Sequence, residues 1–177
     1  MIEQYIGIDP DCEASGIAII YVCKNHAIEC LSMSFPKLLD FIFFHYNSTE
    51  TKITIEAGWL NKKSNFRSNF GKKVSSDSSY KDIKDSYESS QRISDRISAK
   101  VGANHETGKK LVEMLEYKGY KVDLIKPLPK RWKGTGGKIT NEELNEILKR
   151  NGFDELKRTN QDVRDSVLIA LASYGKM

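Results

Sequence analysis

The first third of the chain is written in short apolar bursts. YIGI within residues 4–9, GIAIIYVC at 16–23 and HAIECLSM at 26–33 have the length and β-branched content of strands, the latter two consistent with hairpin pairing. PKLLDFIFFHY, residues 36–46, changes to helical spacing, and Pro36 is acceptable in a first turn. TKITIE, residues 51–56, alternates as a strand and ends on Glu56. The pattern then lapses. Residues 61–80 hold six serines and five Lys/Arg, the composition of an inserted loop.

Periodicity returns at Tyr80. Ile83, Tyr87, Ile93, Ile97 and Val101 recur near helical spacing, and residues 103–118 continue as a helix stopped by Gly119. YKVDLI, residues 120–125, reads as a strand, followed by the basic loop KPLPKRWKGTGGK. Thr140 and Glu143 form a capping box for a helix running to Arg150, with Gly152 beyond it. A last helix, 161–174, sets Val163, Val167, Ile169, Ala170 and Leu171 toward a core. The order β-β-β-α-β-insert-α-β-α-α predicts an α/β fold, a mixed five-stranded sheet flanked by helices. We expect one domain over residues 1–177, with a basic, Ser-rich loop and helix inserted at about 61–99.

Composition adds little to this picture. The chain is 39% hydrophobic and 29% charged, with a net charge of +4, which is compatible with a polyanionic partner without requiring one. MIEQYIGID lacks the features of a secretory signal, and LLDFIFFHY is too short and interrupted to span a membrane. Cys12, Cys23 and Cys30 are odd in number and form no CxxC, so free thiols in a reducing cytoplasm are expected.

The chemistry lies in the carboxylates. Asp9 and Glu56 each end an apolar strand. If those strands are parallel neighbours, both groups emerge at one sheet edge, where open α/β sheets place their ligands. Asp162 and Asp165 are three apart and share one helix face. Convergent carboxylates repel unless protonated or metal-bound, and hard oxygen ligands suit Mg²⁺ or Mn²⁺. Two such ions can serve phosphodiester hydrolysis. The competing reading makes Asp9 a turn former before Pro10, and Asp162 and Asp165 a solvated first helical turn.

IGIDPDCEASG, TIEAGW, VGANHETGKKLVEMLEYKGYKVDLIKPLPKRWKG and NQDVRDSVLIALA together resemble the RuvC family of Holliday-junction resolvases, within the ribonuclease H-like superfamily. The resemblance covers most of the chain and is weak across about 61–99. It implies that Asp9, Glu56, Asp162 and Asp165 are the catalytic, metal-binding carboxylates. It further implies two Mg²⁺ or Mn²⁺ ions per site, and a homodimer that nicks a four-way DNA junction symmetrically. Asp11 stands where the family usually has Gly and is a possible fifth carboxylate.

For nucleic-acid contacts the candidates are Trp59, Lys62, Lys63 and Arg67, then Lys126, Lys130, Arg131 and Lys133. Trp59, Phe66 or Phe70 would stack on exposed bases, a contact worth about 1–3 kcal/mol per base, and the cations would neutralise phosphates. The competing readings are a Trp59 packed on the core and lysines that solvate loops. His105 reads as a polar residue on the surface and not as a catalyst. GANHETGKK, HETGK and GTGGK fail as a P-loop, an HExxH site and a GxGxxG loop. An actin-like ATPase needs more than 177 residues. A nuclease for hybrids, flaps or branched replication DNA, and a non-catalytic junction-binding module, remain as alternatives.

Overall fold

The computed structural model of the chain describes residues 1–22, 27–61 and 80–176, and leaves aside the side chains of 80–87 and 90. The elements run β1 (Gln4–Asp9), β2 (Ser15–Tyr21), β3 (Ala27–Met33), α1 (Phe35–His45), β4 (Thr51–Glu56), α2 (Tyr80–Tyr117), β5 (Lys121–Ile125), α3 (Asn141–Arg150) and α4 (Gln161–Tyr174). Short 3-10 turns at Gly58–Leu60 and Thr135–Gly137 follow β4 and precede α3. The expected element order is therefore present.

The sheet has the order β3-β2-β1-β4-β5. β1 pairs antiparallel with β2 and parallel with β4, and β4 pairs parallel with β5. Side chains alternate across the sheet, so each face builds its own core. Ile6, Ile8, Ile17, Ile19, Ile53 and Ile55 pack with Leu38, Leu39 and Ile42 of α1 and with Leu111 and Leu115 of α2. On the other face Ala18 and Ile20 pack with Leu144 and Leu148 of α3 and with Val167, Leu168, Ala170 and Leu171 of α4.

α2 is one helix of 38 residues, longer than its core contacts require. Ile93 and Ile97 are 57% and 51% exposed, whereas Leu111 and Leu115 are fully buried. The apolar spacing in the first half of α2 thus marks a helix, but its core begins only near Gly108.

α4 lies unusually close to the sheet. A Cβ on Gly7 would fall 2.3 Å from the Ala170 nitrogen and 2.4 Å from the Ser166 carbonyl oxygen. A Cβ on Gly16 would fall 2.1 Å from the Asp162 carbonyl oxygen. Neither approach tolerates any side chain, so these two glycines let helix backbone rest on strand backbone. The end of α4 is tied down as well, since the Thr54 hydroxyl donates to the Ser173 hydroxyl at 2.7 Å. Asn160 caps the start by accepting from the Val163 N–H at 2.9 Å.

Gly16→Ala is expected to lower stability by about 1–3 kcal/mol through overpacking, roughly 2–12 °C in Tm. Gly102→Ala is the control, because a Cβ there meets nothing within 4 Å and Ala is the better helix former. Thermal melts of the two variants check this, and equal melting temperatures would contradict the close approach.

Candidate active site

Strand alternation aims the first two carboxylates. Gly7 faces α4, so Asp9, two residues on, faces the same side. Thr54 faces α4 through its bond to Ser173, so Glu56 does too. The parallel register ends at Ile8 opposite Ile55, which sets Asp9 and Glu56 side by side at the carboxyl ends of β1 and β4. The contact of Gly16 with the Asp162 carbonyl lowers the first turn of α4 onto this edge, and with it Asp162 and Asp165. Geometry thus brings all four predicted carboxylates to one region.

Their electrostatics agree. Asp9 is pushed up from the ordinary 3.8 to about 8, first by burial and then by Glu56, Asp165, Asp162 and Asp11. Burial also raises Glu56, and Asp165 adds to it, against the Leu128 N–H and Lys130. Asp162 and Asp165 are each raised chiefly by burial, with Lys138 and Arg164 opposing. The Leu128 N–H donates to Glu56 Oε2 at 3.3 Å, and the Gln161 amide donates to Asp165 Oδ1 at 2.7 Å. These bonds fix carboxylate orientation while leaving much of the charge unmatched.

Among the described residues no group of three or more His, Cys, Asp or Glu side chains is gathered closely enough to hold a metal ion as it stands. The donor set nonetheless fits a hard divalent cation. It is made of carboxylate oxygens, and Asp9 is charged at neutral pH only if positive charge arrives.

Asp11 does not behave as a fifth member. Its Oδ1 accepts from the Glu13 N–H at 2.9 Å, and its Oδ2 accepts from the Asn104 amide at 3.0 Å. Lys100 stands 3.7 Å from the same Oδ2. Partial burial opposes the Asp11 charge, but these donors more than offset it and hold the group below the ordinary value. Asn104 Oδ1 in turn accepts from the Cys12 N–H at 3.0 Å. Asn104 of α2 therefore clamps the turn that follows Asp9. Asp11 thus serves to hold this turn, and nothing in the sequence pairs it with Asn104 or Lys100.

A cavity of about 290 Å³ opens over Asp9 and Glu56, walled by Trp59, Asn104, His105 and Lys130. Trp59 is half-buried, packs against the α1/α2 core, and has its ring where a Cβ of Gly108 would lie. It is both a core residue and a wall of the site. His105 belongs here and not to the open surface. Its Nε2 would be 2.8 Å from a Cβ on Gly58, and its ring meets Trp59 edge-on at 6.3 Å. Only the fold, which lays α2 over the end of β4, reveals that position. A narrower cavity of about 60 Å³ joins Glu56 and Asp165 to Lys130, Trp132 and Lys138.

The remaining predicted cations are scattered. Lys126, Arg131 and Lys133 are exposed. Arg131 lies 5.8 Å from the Trp132 ring, and the Lys133 N–H is bonded to the Glu143 carboxylate. Lys62, Lys63 and Arg67, with Phe66 and Phe70, lie outside the described residues. Lys138, absent from the expected set, lines the narrow cavity with Glu56 and Asp165.

Comparison with known proteins supports the fold. No protein-family model and no curated protein matches the sequence. Thermus thermophilus RuvC in complex with Holliday junction substrate superposes with a TM-score of 0.52, over 99% of this chain and 96% of that one, at 14% identity. A further Thermus thermophilus RuvC structure gives 0.48 at 16% identity, covering 98% and 96%. Fowlpox virus resolvase with Holliday junction DNA gives 0.49 at 9% identity, covering 97% and 99%. At such identities the likeness is one of fold. The chain has the ribonuclease H-like fold of RuvC-type resolvases, as expected from its sequence.

The raised Asp9 value predicts a stability effect. The folded chain keeps a proton that the unfolded chain releases between 3.8 and about 8. Stability from this group is therefore full at low pH and is lost as pH rises through that window. Asp9→Asn removes the loss. In EDTA at pH 8 the variant is expected to melt above wild type, by about 2–4 °C per kcal/mol, and the gap should close near pH 4. Added Mg²⁺ should raise the wild-type Tm more than that of the variant. Calorimetry at the two pH values checks this, and a less stable variant at pH 8 would contradict it.

Proposed function

We propose that the protein is a divalent-metal-dependent, structure-selective endodeoxyribonuclease that resolves four-way DNA junctions by symmetric nicking. The observation that carries this reading is the meeting of Asp9 and Glu56, from adjacent parallel strands, with Asp162 and Asp165, from the helix laid across them. Burial, and then repulsion from the other carboxylates, drives Asp9 to about 8, so the site as built awaits positive charge. The fold shared with Thermus thermophilus RuvC, a protein solved with Holliday junction substrate, supports the choice of substrate class.

In this reading Asp9, Glu56, Asp162 and Asp165 hold two Mg²⁺ or Mn²⁺ ions. When bound, the ions supply the charge that activates a water and stabilises the leaving oxygen of a phosphodiester. The protein contributes position. Leu128 and Gln161 orient Glu56 and Asp165. Asn104 holds the turn after Asp9. Lys130 lines the cavity and offers a cation to a strand phosphate there. The Trp59 face closes one wall and limits water. The expected products are a 5′-phosphate and a 3′-hydroxyl. The protein acts as a homodimer in the cytoplasm, one site for each strand. No helix among the described residues is long and apolar enough to cross a membrane.

The test is cleavage of a labelled four-way junction beside linear duplex and RNA–DNA hybrid, with Mg²⁺ or EDTA. Paired, metal-dependent nicks in the junction are expected, and Asp9→Asn should reduce the rate by about 10³-fold or more, several kcal/mol of barrier. Cutting of hybrid or duplex alone would move the protein to another nuclease class. Junction binding without cleavage under any divalent ion would overturn the enzyme reading.

A further inference from the structure

A second cleft is larger than the one over Asp9. It has a volume of about 580 Å³ and lies on the other side of the first turn of α4, between that turn and the start of α3. Lys138, Arg158 and Arg164 line it, against a single acid, Glu142. Three cations face one anion, an excess of two positive charges.

None of the three closes a short ion pair with an acid among the described residues, although Lys138 and Arg164 act on Asp162 and Asp165 from further off. The close ion pairs of Lys52, Lys100, Lys109 and Lys110 lie elsewhere on the molecule. Lys138 and Arg158 are exposed side chains at the rim. Arg164 is different, because it is built in. Its Nε donates to the Ile139 carbonyl at 3.1 Å, one terminal nitrogen donates to the Thr159 carbonyl, and the other donates to Gln161 Oε1 at 3.1 Å. A guanidinium has five N–H donors. Three are used in holding it, which leaves two for a ligand with acceptor oxygens.

The cleft is also contiguous with the carboxylates. Lys138 lines both the cleft and the narrow cavity that holds Glu56 and Asp165. Gln161 and Arg164, which line the cleft, flank Asp162 and Asp165 along the same helical turn. A ligand in the cleft therefore sits one side chain away from the site of hydrolysis.

We propose that this cleft is a phosphate subsite, which binds a backbone phosphodiester of the cut strand next to the scissile one. The inference rests on the nuclease reading and deepens it. Carboxylates repel the strand that they must cut, and a cation-lined seat beside them would hold that strand in place. Arg164 is the preset donor, and Lys138 and Arg158 are the mobile charges that close over the phosphate.

The test uses Lys138→Ala and Arg158→Ala, both at exposed positions, and spares Arg164 because it supports the fold. Lys149→Ala, exposed at the end of α3 and outside the cleft, is the charge control. Anisotropy of a labelled four-way junction with the full chain is measured in EDTA across a salt series. Each cleft variant is expected to weaken binding roughly five- to tenfold at about 0.1 M salt and to reduce the salt slope by about one, while Lys149→Ala and all melting temperatures stay near wild type. Single neutral methylphosphonate linkages are then walked past the nick. One linkage adjacent to it should weaken wild type and add nothing in Arg158→Ala.

If wild type binds and cuts junctions but both cleft variants match it, the subsite is overturned and the nuclease stands. If no linkage couples to Arg158, or if only a 5′-terminal phosphate does, the backbone assignment is overturned. If wild type neither binds nor cuts any branched or duplex substrate, the nuclease reading itself fails.

Discussion

The carbonyl oxygen of Asp162 occupies the place where a side chain on residue 16 would begin. That close approach, with its counterpart at Gly7, governs the rest of the site. An ordinary helix–sheet packing would hold α4 off by the depth of its side chains and would leave Asp162 and Asp165 standing over a hydrophobic layer. Two glycines on one face of two adjacent strands remove that layer locally. The cost is lost apolar burial at these positions, recovered further along by Val167, Leu168, Ala170 and Leu171. The fold thus trades a strip of core for the approach of one helical turn to two strand ends.

The same approach creates electrostatic tension. Four carboxylates enter a partly buried region, and Asp9 is pushed up to about 8, first by its burial and then by repulsion from its acidic neighbours. The protein answers this only in part. Lys130 and Lys138 act on individual members, and backbone or amide donors fix Glu56 and Asp165. Lys138, Arg158 and Arg164 instead line a cleft beside the carboxylates. An arrangement with an anionic centre and a cationic border makes sense if a divalent cation fills the centre and a nucleic-acid strand crosses the border.

Much of this was legible in the sequence. Strand lengths, the capping box of Thr140 and Glu143 and the stop at Gly119 are local signals, and each reappears in the structure. Asp9 and Glu56 could be read because a charge at the end of an apolar run is a local anomaly. The rest depends on contacts between distant segments. Gly7 and Gly16 look like ordinary strand glycines until α4 is laid upon them. Asn104 and Asp11 are 93 positions apart, and no periodicity links them. His105 looks solvated on a helix and is drawn into the cavity only by the crossing of α2 over the end of β4. Lys138 gains its place because its loop turns back toward Glu56. The apolar stripe at Ile93 and Ile97 correctly marked a helix but not its exposure, since helical spacing records a face and not what covers it.

The central claim is that the four carboxylates form one divalent-metal centre. Crystals of the full chain grown with Mn²⁺ and measured across the manganese absorption edge test it directly. The account predicts two anomalous peaks about 3.5–4 Å apart, bounded by Asp9, Glu56, Asp162 and Asp165, with side chains drawn inward from their present positions. Manganese absent from this edge of the sheet, with Asp9 left protonated, would contradict it.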